Sequence, residues 1–115
     1  MMIQENLDQM NNLIGQGQII EAVDRFFDDN ILTQEVGSDP VEGKAGKREG
    51  LVGFVNSIAA VRGITVHNSA IVGDTTYSEY TFQFDMKDGG KIDWHEVISR
   101  KWAGDKVIEE RYFQN

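Results

Sequence analysis

Few side chains in this sequence have the type and spacing that metal or nucleophile chemistry requires. The 115 residues include no cysteine, which excludes a disulfide framework, a thiolate nucleophile and a thiolate metal site. His67 has no second ligand at metal spacing, so we interpret it as an ordinary strand histidine. Since a phosphate-binding loop is also missing, the sequence predicts neither a metal nor a cofactor.

Two tryptophans have the kind of side chain that stacks on a ring-shaped ligand. Trp94 and Trp102 are separated from Ile92 and Ile98 by even numbers of residues, which places all four on one face of a predicted strand. That pattern favours packing in the core or in an interface over stacking on a ligand.

The charge distribution argues against nucleic acid and membrane as partners. Eleven basic and 19 acidic residues give a formal net charge of -8, and a surface of that sign repels phosphate groups. The basic cluster of Lys44, Lys47 and Arg48 is flanked by Glu42 and Glu49, so we interpret it as a solvated helix start. Residues 1–17 lack the pattern of a signal peptide or a membrane span, which predicts a cytoplasmic location.

The spacing of apolar residues predicts the elements that must position these side chains. A length of 115 residues fits a single domain over residues 1–115. Steps of three and four predict helices over residues 3–14, 19–27 and about 44–60, the second closed by the turn-forming run Asp28-Asp29-Asn30. A short strand over residues 31–36 and a loop at residues 37–40 are expected between the second and third helices.

Three glycines weaken the third predicted helix and need a structural reason. Gly46, Gly50 and Gly53 each cost up to about 1 kcal/mol of helix stability relative to alanine. Their spacing of four and three places them on one face, where we expect them to let the helix backbone approach a sheet closely. The segment is too polar for the same spacing to indicate membrane dimerisation.

After Gly63 the apolar period changes from helical to alternating. Turn sequences separate four predicted strands, which cover residues 64–72, 75–86, 91–102 and 106–113. Helices gathered before an antiparallel meander predict an α+β fold in which the helices pack on one face of the sheet.

The strand over residues 91–102 indicates that both faces of the sheet are at least partly buried. One face carries the large apolar side chains, while Val97 shares the other with His95 and Ser99. Helices cover only one side of a single sheet. We therefore expect a second copy of the chain to cover the other, as a homodimer through the outer sheet face.

Two segments carry a resemblance to a known superfamily. The run from Asp28 to Pro40, followed by Glu42 to Glu49, resembles the segment joining the second and third helices of ketosteroid isomerase. Residues 104–109 are similar to a hairpin of the SnoaL-like polyketide cyclases. Both families belong to the nuclear-transport-factor-2-like (NTF2-like) superfamily. The resemblance covers nearly the whole chain and implies an α+β cone, with three N-terminal helices packed on the concave face of a curved antiparallel sheet.

The resemblance also implies catalytic positions, which hold unsuitable residues here. The proton-moving base of ketosteroid isomerase falls on Gln34, its oxyanion-hole tyrosine on Met10 and its protonated aspartic acid on Val97. A shift of one residue to Glu35 turns the carboxylate to the other face of the strand. The cyclase pattern is partly kept, with Tyr112 where an aspartate is expected. We therefore expect the isomerase mechanism to be absent.

His95 and Glu110 are the candidate catalytic residues on the inward register that the resemblance implies. His95, Val97 and Ser99 then share a face with Glu110 across the final hairpin. A histidine facing a carboxylate in an apolar cup has the groups for acid–base catalysis. Alternatively, His95 and Glu110 form a satisfied polar network with Arg100, or His95 lies at the dimer face in the opposite register.

The function that the sequence supports best is binding of a small, mostly apolar molecule in the cone. Any reaction there is expected to be cofactor-free proton transfer, dehydration or cyclisation. Two alternatives stay open: a non-catalytic dimerisation or protein-interaction module, and a transport-factor-like protein that docks a basic partner peptide. The residues expected to line the pocket are Met10, Phe27, Gln34, Phe54, Phe82, Val97, Ser99 and Tyr112.

Overall fold

The chain changes from mainly helix to mainly strand along its length. The computed structural model describes residues 2–114. Its helices are α1 (Ile3–Gly15), α2 (Ile19–Phe26) and α3 (Lys44–Asn56). Its strands are β1 (Phe27–Glu35), β2 (Val41–Glu42), β3 (Ile58–Val72), β4 (Thr75–Met86), β5 (Lys91–Ala103) and β6 (Lys106–Gln114). No helix within residues 2–114 is both long enough and apolar enough to cross a membrane.

The strands of residues 2–114 form one curved sheet in the order β2-β1-β6-β5-β4-β3. Strands β3 to β6 pair antiparallel with their sequence neighbours, as the predicted meander requires. Strand β1, however, lies parallel to β6, so the sheet is mixed and not wholly antiparallel. Apolar alternation identifies a strand but carries no information about the direction of its partner, which is why this pairing was not predicted.

The boundary between α2 and β1 differs from the predicted one. The helix ends at Phe26, and the strand begins at Phe27 with no separate turn. Asp28 still makes a local contact, because its carboxylate accepts the Asn30 backbone N–H at 2.9 Å. The pairing register between β1 and β6 shifts between Phe27 and Leu32. The turn-forming residues therefore make an irregularity inside the strand and do not end it.

The third helix is shorter, and the following strand longer, than predicted. Helix α3 ends at Asn56, where the Ser57 hydroxyl donates to the Phe54 carbonyl at 2.6 Å. Strand β3 begins at Ile58, and its register shifts again next to Gly63. A Cβ at Gly63 would lie 3.2 Å from Gln83 Oε1, so this glycine permits a close approach within the sheet and does not end a helix.

The three glycines of α3 do not let the helix approach the sheet. Apart from its chain neighbours and the backbone of the helix itself, a Cβ placed at Gly46, Gly50 or Gly53 would have no heavy atom within 4 Å. The expectation of close packing is therefore wrong. Gly46 and Gly50 instead line a cavity between the helix and the sheet.

The main core lies between the first two helices and the concave face of the sheet. Met10 on α1 and Phe26 on α2 are buried there with Tyr80 and Phe84 of β4. Phe26 also packs edge-on against Trp102, with ring centroids 5.8 Å apart. This packing fixes α1 and α2 on the sheet, whereas α3 has no fully buried residue and covers the open part of the cone.

Candidate functional site

A cavity of about 670 Å³ opens between the concave face of the sheet and the helices. Its volume lies within the usual range for small-molecule sites. Its wall is mainly apolar and aromatic, with contributions that include Met10, Phe27, Phe54, Phe82, Phe84 and Trp94. Trp94 is 36% exposed and stacks on Phe54 at 5.4 Å with an interplanar angle of 16°. The pair forms a flat wall near the opening, whereas Trp102 packs in the core.

Most of the predicted pocket residues lie along this cavity, but two do not. The lining includes Met10, Phe27, Gln34, Phe54, Phe82 and Tyr112. Val97 and Ser99 lie on the opposite face of β5, because Glu96, Ile98 and Arg100 line the cavity instead. The predicted inward register of β5 is therefore wrong by one residue. The face with Ile92, Trp94, Ile98 and Trp102 turns inward because it removes far more apolar surface from water than Val97 alone.

The shift of register also separates His95 from Glu110. On the outer face, His95 Nε2 lies 2.6 Å from Glu79 Oε2, with half of the histidine side chain exposed. The His67 ring lies 5.5 Å from that of His95, and His67 Nε2 is 2.7 Å from Thr81 Oγ1. The predicted pair of His95 and Glu110 inside the cup is not assembled. Within residues 2–114, no group of three or more histidine, aspartate or glutamate side chains is arranged to hold a metal ion.

Glu110 reaches the cavity with a different partner, Arg100, which faces it directly on β5. Both residues are 2% exposed, and Arg100 Nε donates to Glu110 Oε2 at 2.8 Å. Arg100 Nη1 donates to the Tyr80 hydroxyl at 2.7 Å, and the Tyr112 hydroxyl donates to Glu110 Oε1. Burial opposes the charge on Arg100, but Tyr80 and Glu110 outweigh it and raise the pKa of the guanidinium. Arg100 and Glu110 are thus a buried, hydrogen-bonded ion pair.

The network continues from Tyr80 to the helical side of the core. The Tyr80 hydroxyl donates to Asn11 Oδ1 at 2.5 Å, and Asn11 Nδ2 donates to Ser69 Oγ at 3.1 Å and to Ser78 Oγ at 3.3 Å. No buried side-chain nitrogen or oxygen in residues 2–114 is left without a partner. The hydrogen bonds from Arg100 to Glu110 and Tyr80, and from Tyr80 to Asn11, hold the guanidinium in one orientation.

Glu96 is a carboxyl group of the cavity wall that does not belong to this network. It lies on β5 opposite Tyr80 of β4, and its side chain is partly buried in the cavity wall. Burial, together with the negative charge of Glu110, raises the pKa of Glu96 to about 7. Burial and the same charge raise the pKa of Tyr112 well above its usual value, so this phenol stays protonated. Glu96 therefore exchanges its proton near neutral pH, while Tyr112 keeps its own.

Sequence reasoning missed Glu96 and did not assign Arg100 to the cavity. The available signal was their position in the strand. Both lie on the same face as Trp94, Ile98 and Trp102, which is the most apolar face of the chain. A charged residue on a face that packs inward must either find a buried partner or change its protonation. Arg100 has a buried partner in Glu110, and Glu96 changes its protonation.

Comparisons with known proteins identify the fold. No protein-family model matches the chain, and no curated protein matches its sequence. Solved structures do match. A Mesorhizobium loti protein described as a SnoaL-like polyketide cyclase superposes with a TM-score of 0.86 at 23% identity, covering 98% of this chain and 99% of that one. The chain has the NTF2-like fold.

Two further structures match the same fold. The epoxide hydrolase/cyclase-like enzyme SalBIII, with a role in pyran ring formation in the polyether salinomycin, matches with a TM-score of 0.78 at 18% identity, covering 97% of this chain and 89% of that one. An epoxide hydrolase of the LEH-like kind from M. tuberculosis matches with a TM-score of 0.74 at 12% identity, covering 96% and 80%. The fold implied by the resemblance of residues 28–49 and 104–109 is confirmed.

The register of β5 also alters the comparison with ketosteroid isomerase. Met10 and Gln34 line the cavity, as the resemblance implied, and Gln34 donates its amide to the Ser38 carbonyl at 3.1 Å. Val97 does not line it, and the adjacent ionisable residue Glu96 does. At Met10 and Gln34, the expected lack of that enzyme's catalytic groups stays a prediction. On β5 the comparison changes, because Glu96 and not Val97 lines the cavity.

Proposed function

We propose that this NTF2-like domain binds a small, mostly apolar molecule in its cavity and moves a proton at Glu96 without a cofactor. The observation that carries the proposal is the position of the Glu96 carboxyl in an apolar wall beside Glu110, where its pKa rises to about 7. A group with that pKa donates and accepts a proton with similar ease at neutral pH. The aromatic walls supply the apolar surface that holds a ligand against it.

The neighbouring groups support a defined division of roles. Glu110 is tied to Arg100 and to the Tyr112 hydroxyl, so these contacts hold its carboxylate in a fixed position beside Glu96. Protonated Glu96 donates to a ligand oxygen, and its carboxylate form accepts a proton from a ligand carbon or hydroxyl. This transfer is the common step of isomerisation, cyclisation and dehydration. The cyclase and epoxide hydrolase names of the structural neighbours are compatible with the same step.

Deuterium exchange into a small apolar ketone tests this proposal without knowledge of the natural reaction. We expect 2-tetralone to perturb the NMR signals of cavity residues and to exchange its acidic C–H protons with D₂O faster in the presence of the protein. Glu96→Gln should slow the catalysed exchange by roughly a hundredfold, because general acid–base catalysis is lost. Glu49→Gln is the matched control, since Glu49 is an exposed residue of α3 outside the cavity lining.

The two parts of the proposal fail separately. Equal exchange rates for the wild-type protein and Glu96→Gln would reject proton transfer at Glu96. The lack of any perturbation of cavity signals by 2-tetralone would reject this ligand class for the cavity.

A second candidate function is dimerisation through the outer face of the sheet, and we propose that the partner is another copy of this chain. Val97 pairs directly with Phe113 on this face, and Phe113 and Tyr77 are 43% and 42% exposed. Lys101 faces Glu109 across β5 and β6, so both signs of charge are present although the chain is acidic overall. A two-fold axis through this face would place the same patch of each copy against the other. Docking of a basic peptide and a cytoplasmic location stay predictions.

A further inference from the structure

The mouth of the cavity already accommodates a cation. Tyr112 of β6 lies on the inner face, and Glu35 of β1 pairs with it directly. Glu96 lines the same cavity from β5, on the other side of β6. Lys47 reaches in from α3 and places its ammonium 4.5 Å from the centre of the Tyr112 ring. An aromatic face between two carboxylates is the arrangement that favours a positive charge.

The charges that line the cavity leave an excess of acid. Apart from Tyr112, the ionisable side chains of the lining are Glu35, Asp39, Lys47, Glu96, Arg100 and Glu110. The guanidinium of Arg100 is buried and already donates to Glu110 and Tyr80, so these two charges of opposite sign offset one another. Lys47 is then the one cation of the described lining that stands against three carboxyl groups. A ligand anion would be repelled by these carboxyl groups, whereas a ligand cation would offset their charge.

Lys47 belongs to the element that is held least firmly over the cavity. Helix α3 has no fully buried residue and no side-chain cap at its N-terminus. The Lys47 side chain is long and flexible, so its ammonium can leave the Tyr112 ring for solvent at low energetic cost. The position over the ring is therefore open to exchange with a cation brought in by a ligand.

We propose that the ligand of this cavity is an amphipathic amine, with a flat apolar body and one protonated nitrogen. The body lies along the stacked pair Phe54 and Trp94, and the nitrogen takes the place of the Lys47 ammonium over Tyr112. This inference deepens the proposed function and rests on the cavity being a binding site. It does not require that the ligand be transformed there.

Proton release gives the proposal a second signature besides affinity. A ligand cation beside Glu96 stabilises its carboxylate form, so binding of an amine lowers the pKa of Glu96 and displaces a proton near pH 7. The affinity for the amine should then rise with pH across this range. The charged and titratable groups that surround Glu96 in this balance are Glu35, Lys47, Tyr80, Arg100, Glu110 and Tyr112.

Three indole probes of similar shape and different charge test the proposal by isothermal titration at about pH 8. Tryptamine is a cation, tryptophol is neutral and indole-3-acetate is an anion. We expect tryptamine to bind at least roughly tenfold more tightly than indole-3-acetate, with tryptophol between them. The affinity for tryptamine should fall as the pH is lowered to about 6, and that for tryptophol should not.

Variants of the cavity mouth assign the effect to the named residues. Lys47→Met should tighten tryptamine several-fold, because it removes the competing ammonium, and should change tryptophol little. The double variant Glu35→Gln/Glu96→Gln should bring the affinities for tryptamine and tryptophol to within about twofold of each other. Glu49→Gln removes one negative charge from the exposed side of α3 and should leave the order of the probes unchanged.

The outcomes separate this inference from the proposed function. If tryptophol binds and tryptamine binds no more tightly than indole-3-acetate, the amine is rejected while a binding cavity stands. The amine is also rejected if Lys47→Met leaves the affinity for tryptamine unchanged. If none of the three probes binds the wild-type protein or Lys47→Met, both proposals are rejected.

Discussion

Glu96 and Glu110 line the same cavity but differ in burial and in hydrogen-bond partners. Glu110 is almost fully buried, but Arg100 and Tyr112 both donate hydrogen bonds to its carboxylate, which stabilise its charge. Glu96 is less buried and lacks such donors, so burial and the charge of Glu110 favour its protonated form. Loss of one partner of the buried ion pair would leave the other charge unpaired, at a cost of about 3–5 kcal/mol of folding stability. The ion pair is therefore structural, and Glu96 is free to titrate.

At the residue scale, Glu96 should make the folding stability depend on pH. Its folded pKa of about 7 lies above the ordinary value of 4.5, so the folded state holds the proton more tightly than the unfolded state. The stabilisation by this group is present below about pH 4.5 and is lost as the pH rises through about 7. Glu96→Gln should remove this loss and melt higher than the wild type at about pH 8, with nearly equal melting at about pH 4.5.

Thermal melts followed by circular dichroism at a series of pH values measure this difference. Glu49→Gln serves as the control for general charge removal and should follow the wild-type profile. A constant difference between Glu96→Gln and the wild type at all pH values would contradict the raised pKa.

Residue-level prediction from sequence succeeds here where side-chain size decides the outcome. Met10, Phe54 and Phe82 lie along the cavity because large apolar side chains are driven inward whatever the details of pairing. The register of β5 is a different kind of problem, since alternation defines two faces and the resemblance favoured the wrong one. Glu96 could be placed only once the apolar content of the two faces was compared, because its own polarity suggests an outward position.

At the element scale, α3 is the weakest part of the cone. Its attachment to α2 includes a bidentate contact from Arg48 to Asp24, with Nε 2.6 Å from Oδ1, and a hydrogen bond of 3.0 Å from Lys44 Nζ to the Asp24 carbonyl. These groups are exposed, and exposed ion pairs stabilise a fold only slightly. Helix α3 has no fully buried residue, whereas α1 and α2 each bury several, so we expect α3 to open at a lower free energy than either.

Two glycines of α3 offer a matched test of this element. Gly53→Ala and Gly50→Ala should each stabilise the fold by about 0.5–1 kcal/mol, since neither glycine has a positive φ and a Cβ meets no atom within 4 Å. Gly50 lines the cavity and Gly53 does not, so only Gly50→Ala should weaken the binding of tryptophol. Urea unfolding and titration calorimetry measure the two effects. Destabilisation by Gly53→Ala would show that the helix packs more closely than described.

Element boundaries were predictable where a turn separates two strands and not where elements adjoin directly. Strand β4 coincides with the predicted residues 75–86, because glycine-containing turns lie on both sides of it. Strand β1 begins one residue after α2, and the acidic residues that resemble a turn form an irregular part of the strand. Strand β2 has two residues, which is too short for any alternation to be visible.

At the scale of the whole molecule, the outer sheet face predicts a dimer that a single charge disrupts. Sedimentation velocity of the wild-type chain at micromolar concentration should show a species of twice the monomer mass. Val97→Glu should shift it to the monomer, because the charge enters the centre of the apolar patch next to Phe113. Met2→Glu, which also replaces an exposed apolar residue but lies before α1, should leave the dimer intact. A monomeric wild type would reject the interface.

The parallel pairing of β1 with β6 has a consequence for synthesis on the ribosome. Residues 36–105 lie between these strands, so β1 has no sheet partner on its inner edge until β6 has left the exit tunnel. Until then the cavity of the nascent chain is incomplete, since Glu110 and Tyr112 of its lining belong to β6. The complete cavity wall and the complete sheet therefore depend on the same late segment, and a nascent chain stalled before β6 has neither.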